Sequence, residues 1–206
     1  VDYFEGTTTW YTYDLAGRVV AIRTYDTTAT SYSGQQLSNE VKYTYADKTN
    51  YLTGVCHYTP ELGVQELTYR YGNLANGEMP DQVYGISYNG VEKLTFSYDG
   101  LGRVTEKEIT TTSSKKLTET YTYQDIPNSN KTTTQVQSLT NPVGSYTYTY
   151  DANGNIASEN VTINYMKPRS RSISYEYDEL NRLKRVNNAS RYYTLVFEYD
   201  ARGNIL

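Results

Sequence analysis

Ser145-Tyr146-Thr147-Tyr148-Thr149-Tyr150-Asp151-Ala152-Asn153-Gly154-Asn155-Ile156 is the stretch whose reading decides the fold. Tyrosine occupies every second position, so in an extended chain the phenol rings line one face. The alternation stops at Asp-x-x-Gly. Aspartate suits the first position of a type I turn, because its carboxylate accepts the backbone N–H two residues on. Glycine suits the left-handed residue that closes a three-residue hairpin loop through a G1 bulge. Ile156 then resumes an extended strand. The stretch therefore reads as strand, tight turn, strand.

The same pattern recurs at Tyr13-Asp14-Leu15-Ala16-Gly17-Arg18-Val19, Tyr98-Asp99-Gly100-Leu101-Gly102-Arg103-Val104 and Tyr199-Asp200-Ala201-Arg202-Gly203-Asn204-Ile205. Tyr177-Asp178-Glu179-Leu180-Asn181-Arg182-Leu183 puts Asn181 where the others put Gly, and Asn is the next residue able to take the left-handed conformation. Weaker copies start at Tyr45, Tyr71 and Tyr123. The anchoring tyrosines 13, 45, 71, 98, 123, 150, 177 and 199 are spaced by 32, 26, 27, 25, 27, 27 and 22 residues. A period in the twenties signals an array of about eight stacked units.

Tyr-Asp-x-x-Gly-Arg preceded by alternating tyrosine resembles the YD repeat of the RHS family, which includes bacterial RHS and wall-associated proteins, the C component of ABC toxin complexes, and teneurins. The resemblance covers nearly the whole chain, residues 1–206. It implies an all-β array of antiparallel hairpins in a curved, spiralling, open sheet, part of a hollow shell. It also implies a secreted or cell-surface parent protein whose shell encapsulates a C-terminal effector or toxin domain. Bacterial members end their shell with an aspartyl self-cleavage segment carrying Asp-Pro. This chain contains no Asp-Pro, so that activity is not transferred.

Composition agrees with an array. The 206 residues hold 25 Tyr against 3 Phe, 1 Trp and 2 Met. Without tyrosine, only about a quarter of the chain is aliphatic, lean for a dry core. A buried hydroxyl needs a partner, so the aligned tyrosines suggest a face apolar at the ring and wet at the tip. A formal charge of −4 argues against nucleic acid, which requires a basic footprint. No stretch reaches the length of a membrane-spanning helix. No signal peptide is visible and the pattern runs from Val1 to Leu206, so the chain reads as a piece of a longer protein.

Residues two and four places before each anchor are mostly aromatic or aliphatic: Tyr43 and Val41, Tyr69 and Leu67, Phe96 and Leu94, Tyr175 and Ile173. Thr, Ser, Lys, Arg and Glu alternate with them, as in an antiparallel sheet with one wet side. A three-residue loop places Tyr13 opposite Val19, Tyr98 opposite Val104, Tyr150 opposite Ile156, Tyr177 opposite Leu183 and Tyr199 opposite Ile205. Further out the pattern fails: Glu106 and Glu108 would share the face of Phe96. Either that end is wet or a bulge shifts the register. Polar connections are expected at Asp26–Glu40, Thr110–Lys116, Pro127–Thr134 and Asn164–Ser172.

Few residues point to chemistry. Cys56 and His57, each the sole residue of its kind, sit side by side, so on a strand they face opposite ways. A small strand residue beside a polar one explains them better than a nucleophile and base. A His- or Cys-based metal cluster is likewise excluded. Asp151-Ala152-Asn153-Gly154-Asn155 resembles the start of a calcium loop, but its twelfth position is Thr162, not Glu, so a turn is the better reading. Asp99 and Arg103 are expected to form a surface ion pair worth little. Lys167, Arg169 and Arg171 make one loop basic; it reads as a solvated loop rather than a site for an acidic partner. Asn130, Asn160 and Asn188 head glycosylation acceptor patterns that chance explains in so Asn-rich a chain.

The function expected is therefore structural and non-catalytic, with no cofactor. The residues that carry it are Tyr13, Asp14, Gly17, Tyr98, Asp99, Gly102, Tyr150, Asp151, Gly154, Tyr177, Asp178, Asn181, Tyr199, Asp200 and Gly203. The partner implied by the resemblance is the effector domain of the parent. Self-association is expected through unpaired end strands or a concave tyrosine face. The alternative is a module for cell-surface glycans. Trp10, on the face opposite Tyr11 and Tyr13, would be its platform unless it packs on a neighbouring loop.

Overall fold

The computed structural model describes residues 6–27, 35–47, 49–111, 115–126, 128–129, 131–164 and 169–206. The fold is all-β. Its fifteen strands are β1 (Gly6–Tyr13), β2 (Val19–Thr27), β3 (Gln35–Tyr45), β4 (Leu52–Thr59), β5 (Gly63–Tyr71), β6 (Val83–Tyr88), β7 (Val91–Tyr98), β8 (Val104–Thr110), β9 (Lys116–Asp125), β10 (Thr132–Asn141), β11 (Gly144–Tyr150), β12 (Ile156–Ile163), β13 (Arg169–Tyr177), β14 (Leu183–Asn188) and β15 (Tyr193–Val196). Helix is confined, among the described residues, to one 3-10 turn at Leu74–Asn76. Among the described residues the strand order is sequence order, from β1 to β15, in one open sheet.

The chain divides into two compact units, Val1–Phe96 with Ile109–Ser114, and Ser97–Glu108 with Lys115–Leu206. In the first, β1 to β7 pair antiparallel in succession. In the second, β9 to β15 do the same. Alternating aromatic and polar residues form these strands because a strand paired in an antiparallel sheet with one wet side needs only one apolar face. The interior is thin: among the described residues the buried apolar ones are Ala21, Val161 and Ile173.

The strands extend further than the composition suggested. β2 reaches Thr27 and β3 starts at Gln35, which shortens the expected Asp26–Glu40 connection to residues 28–34, outside the described residues. β13 starts at Arg169 and β10 at Thr132, inside two other expected loops. Thr, Ser, Gln and Arg are at home on the wet face of a strand, so polarity alone overstated the loops. Asn130 and Lys167 lie outside the described residues.

Candidate functional site

The repeated turn is the structural centre of each unit. Gly17, Gly102, Gly154 and Gly203 have φ of 78°, 78°, 89° and 88°, and Asn181 has φ of 60°. All five are left-handed, where an L side chain with a Cβ is disfavoured. The glycine or Asn N–H bonds the aspartate carbonyl, at 3.0 Å for Gly17 to Asp14 and 3.1 Å for Gly154 to Asp151. The aspartate N–H in turn bonds the carbonyl four residues on, at 2.9 Å for Asp14, Asp99, Asp151, Asp178 and Asp200. Tyr13 lies opposite Val19, Tyr150 opposite Ile156, Tyr177 opposite Leu183 and Tyr199 opposite Ile205.

Each aspartate also saturates its turn through the side chain. Oδ1 of Asp14 accepts the N–H groups of Ala16 and Arg18 at 2.9 and 3.0 Å. Asp99, Asp151, Asp178 and Asp200 repeat the pair of bonds. Oδ2 takes the side chain four places on: Arg18 at 2.7 Å, Arg182 at 2.6 Å, Asn155 at 3.0 Å and Asn204 at 2.8 Å. These bonds favour the ionised carboxylate. The Arg18 N–H lowers the pKa of Asp14, the Arg182 N–H that of Asp178, and the side chains of Asn155 and Asn204 those of Asp151 and Asp200. At Asp99 burial pushes upward, but the bonds from Arg103 prevail and the pKa is again lowered.

Immediately beyond the turn, the outbound strand carries a bulge. Thr12 pairs with Ala21 while Tyr13 pairs with Val19, so Val20 has no partner residue. Thr53, Tyr84, Gln137, Ala157 and Lys184 are the extra residues after Tyr45, Tyr71, Tyr123, Tyr150 and Tyr177. One extra residue reverses which outbound side chains share the tyrosine face. That is why Tyr11 meets Ile22, Tyr43 meets Val55, Tyr69 meets Ile86 and Tyr175 meets Val186. Of the two explanations for the lost outbound pattern, the bulge is the one seen at these six hairpins.

A bulge interrupts the ladder of backbone bonds. At six outbound strands a carbonyl is taken by a phenol from the next hairpin, and at Val19, Leu52, Val136, Ile156 and Leu183 it is the carbonyl just before the extra residue. Tyr45 Oη donates to Val19 O at 3.1 Å, Tyr71 to Leu52 at 3.0 Å and Tyr123 to Val104 at 2.8 Å. Tyr150 donates to Val136 at 2.7 Å, Tyr177 to Ile156 at 3.0 Å and Tyr199 to Leu183 at 2.7 Å. The hydroxyls are not simply wet tips: they fasten hairpin to hairpin. Burial raises the pKa of Tyr71, Tyr123, Tyr150 and Tyr177, which keeps them neutral donors.

The arginine four places after the aspartate reinforces this link. Arg18, Arg103 and Arg182 lie over the rings of Tyr45, Tyr123 and Tyr199 at 4.4, 4.2 and 4.4 Å from centroid. Arg18 also donates to Thr49 O at 2.5 Å, and Arg103 to Thr132 Oγ1 at 2.9 Å and to Thr133 O. The Asp99–Arg103 pair, at 2.6 Å, is thus one arm of a clamp on the following hairpin rather than an isolated surface pair. Where Asn replaces Arg the turns join through amides instead. Asn153 and Asn155 both donate to Asn181 Oδ1, at 3.0 and 2.9 Å. Tyr71 is covered by Tyr51, stacked at 5.0 Å.

Other candidates separate. Cys56 lies opposite Lys42 and Glu66, His57 opposite Val41 and Gln65, so they occupy opposite faces of β4. Among the described residues no group of three or more His, Cys, Asp or Glu is gathered as a metal ion requires. The carboxylate of Asp151 is committed to N–H donors, the chemistry of a turn rather than a calcium loop. Asn160 is exposed, whereas Asn188 is buried. Trp10 is 59% exposed, opposite Arg23 and facing away from Tyr11 and Tyr13, but those two are equally exposed on the same outermost strand. The sequence reading missed the phenol-to-carbonyl bond and the arginine clamp. Its available signal was Arg or Asn four places after each turn aspartate.

No curated protein matches the sequence. Among solved structures, the pore form of the Tc holotoxin of Photorhabdus luminescens is similar at 14% identity, over 97% of this chain and 12% of that one, with a TM-score of 0.34. A porin-like protein from Bacteroides uniformis matches 97% of this chain and 80% of its own at 12% identity, TM-score 0.35. A Bacteroides fragilis protein of unknown function matches 91% and 95% at 9% identity, TM-score 0.21. The family model of the teneurin YD shell matches residues 65–206, more than half of the chain. The chain belongs to the teneurin YD-shell family.

Proposed function

We propose that residues 1–206 form one array of wall units in a hollow β-shell of a larger secreted or cell-surface protein. The wall is non-catalytic, and it encloses a C-terminal effector domain of the parent. The observation that carries this reading is the phenol-to-carbonyl bond repeated at Tyr45, Tyr71, Tyr123, Tyr150, Tyr177 and Tyr199. Each ties one hairpin to the one before it, the coupling expected where units stack only on their neighbours. The motif aspartates are committed to the N–H groups of their own turns, and six anchoring tyrosines to the hairpin before them, which fits a structural role. The test is limited proteolysis of the parent protein, intact and with this segment deleted. Protection of the effector in the intact protein and its rapid cleavage in the deletion supports enclosure; equal cleavage refutes it.

A second reading, a module for cell-surface glycans, is favoured by the exposed indole of Trp10. Saturable binding on a glycan array that disappears with Trp10→Ala supports it, and absence of binding to the folded chain refutes it.

A further inference from the structure

We propose that the tip of the hairpin between β14 and β15, centred on Arg191 and Tyr192, anchors an acidic segment of a protein partner. Tyr192 is the anomaly that leads there. Among the described residues, the non-glycine positions with positive φ are Asn89, Asn128, Asn181 and Tyr192, the last at 55°. The first three follow the usual preference for Asn in that conformation. A tyrosine there is strained, and such strain persists where the surroundings impose it and clusters at functional positions.

The surroundings do impose it. Asn188, 2% exposed, accepts the Arg191 N–H on Oδ1 at 3.0 Å, and the Asn188 carbonyl takes the same N–H at 3.2 Å. Ser190 Oγ accepts the Ser172 N–H at 3.0 Å, which pins the tip to β13. The loop is therefore fixed, yet its aromatic ring is 94% exposed and gains nothing from packing. A preorganised, exposed Tyr beside Arg has the composition of an interface hot spot.

Charge selects the partner. Arg191 is exposed and pairs with no carboxylate among the described residues, while Arg171, one residue from the Ser172 anchor, is paired with Glu159 at 3.0 Å. Arg191, adjacent to Tyr192 in the chain, thus puts an exposed guanidinium at the tip of a chain of net charge −4. Guanidinium groups match carboxylates bidentately, so an acidic peptide with an apolar residue against the ring satisfies both features. This surface is independent of the wall reading and stands or falls without it.

The test is selection of random dodecapeptides on the folded chain, followed by anisotropy titration of the enriched peptides against variants. The expected result is enrichment of Asp- and Glu-rich peptides. Their affinity falls at least tenfold in Tyr192→Asn and in Arg191→Gln, and it weakens as salt is raised. Thermal melting distinguishes a docking residue from a structural one: Tyr192→Asn relieves the strain, so its midpoint stays level or rises while binding is lost. Enriched peptides without acidic bias, undiminished binding to Tyr192→Asn, or a lower melting midpoint in that variant would each overturn the proposal.

Discussion

Tyr150→Phe removes one oxygen and tests how the hairpins are joined. The ring stays, so its packing is preserved, and only the 2.7 Å bond to Val136 O is lost. A hydrogen bond contributes about 1 kcal/mol net, and leaving a half-buried carbonyl without its partner adds to the loss, so the expected cost is about 1.5 kcal/mol. That corresponds to roughly a tenfold increase in local opening. The control is built into the chain. Tyr13 occupies the same motif position, but its hydroxyl makes no hydrogen bond to the described residues and the residue is 58% exposed. Tyr13→Phe is therefore expected to be neutral. Native-state hydrogen exchange read on β10 and β11 is the suitable assay, because it resolves local opening that a global melt averages. Exchange less than twofold faster in Tyr150→Phe, or an equal effect of Tyr13→Phe, would refute the coupling role of the phenol.

Three further outcomes are expected. Arg103→Gln removes the ion pair with Asp99, the cover over Tyr123 and the bonds to Thr132 and Thr133 together. The loss should be about 2–3 kcal/mol in urea unfolding, with Arg103→Lys recovering only the charge. Gly17 has φ of 78° and open space where a Cβ would stand, so Gly17→Ala isolates the conformational penalty. Gly17→Ala should cost about 1–2 kcal/mol, and Gly17→Asn clearly less, by differential melting. Finally, Asp14, Asp99, Asp151, Asp178 and Asp200 have folded pKa values below the ordinary 3.8. Depressed carboxylates contribute stability that is present above pH 3.8 and lost as pH falls through their lower folded values. Melting midpoints should thus hold from pH 7 to about 5 and drop steeply below 4. Asp178→Asn, less stable at neutral pH, should show a shallower acid limb.

The turns were legible because they are local. Asp-x-x-Gly states a backbone conformation within five residues, and Tyr150 to Ile156 fixes the first cross-strand pair by counting. The bulge was not legible, because no residue type marks it: the extra positions are Val20, Thr53, Tyr84, Gln137, Ala157 and Lys184. Its cause lies in the neighbouring hairpin, whose phenol needs the carbonyl that the irregularity leaves outside the ladder. The same holds for Arg103. Its spacing from Asp99 suggested a modest surface pair, and only the position of Tyr123, 20 residues further on, turns that pair into a clamp. Tyr192 gave no signal at all, since nothing in Arg-Tyr-Tyr reveals a left-handed backbone.

A sheet whose buried apolar residues, among those described, are only Ala21, Val161 and Ile173 does not rest on a hydrophobic core of ordinary depth. What replaces it is distributed and directional. The phenol of one hairpin reaches the carbonyl of the hairpin before it, and the arginine of a turn reaches the ring and loop of the hairpin after it. Both links join adjacent units, and neither needs a distant one. Units can therefore be added without redesigning those already present, which is how a wall of arbitrary length is built. The weakness is equally local. Where Asn155 stands in place of arginine, Tyr177 keeps its carbonyl bond to Ile156 but the adjoining turns are joined by neutral amides. Neutral amide bonds are weaker than charge-assisted ones, so the links at Arg18, Arg103 and Arg182 should outlast this one as denaturant rises.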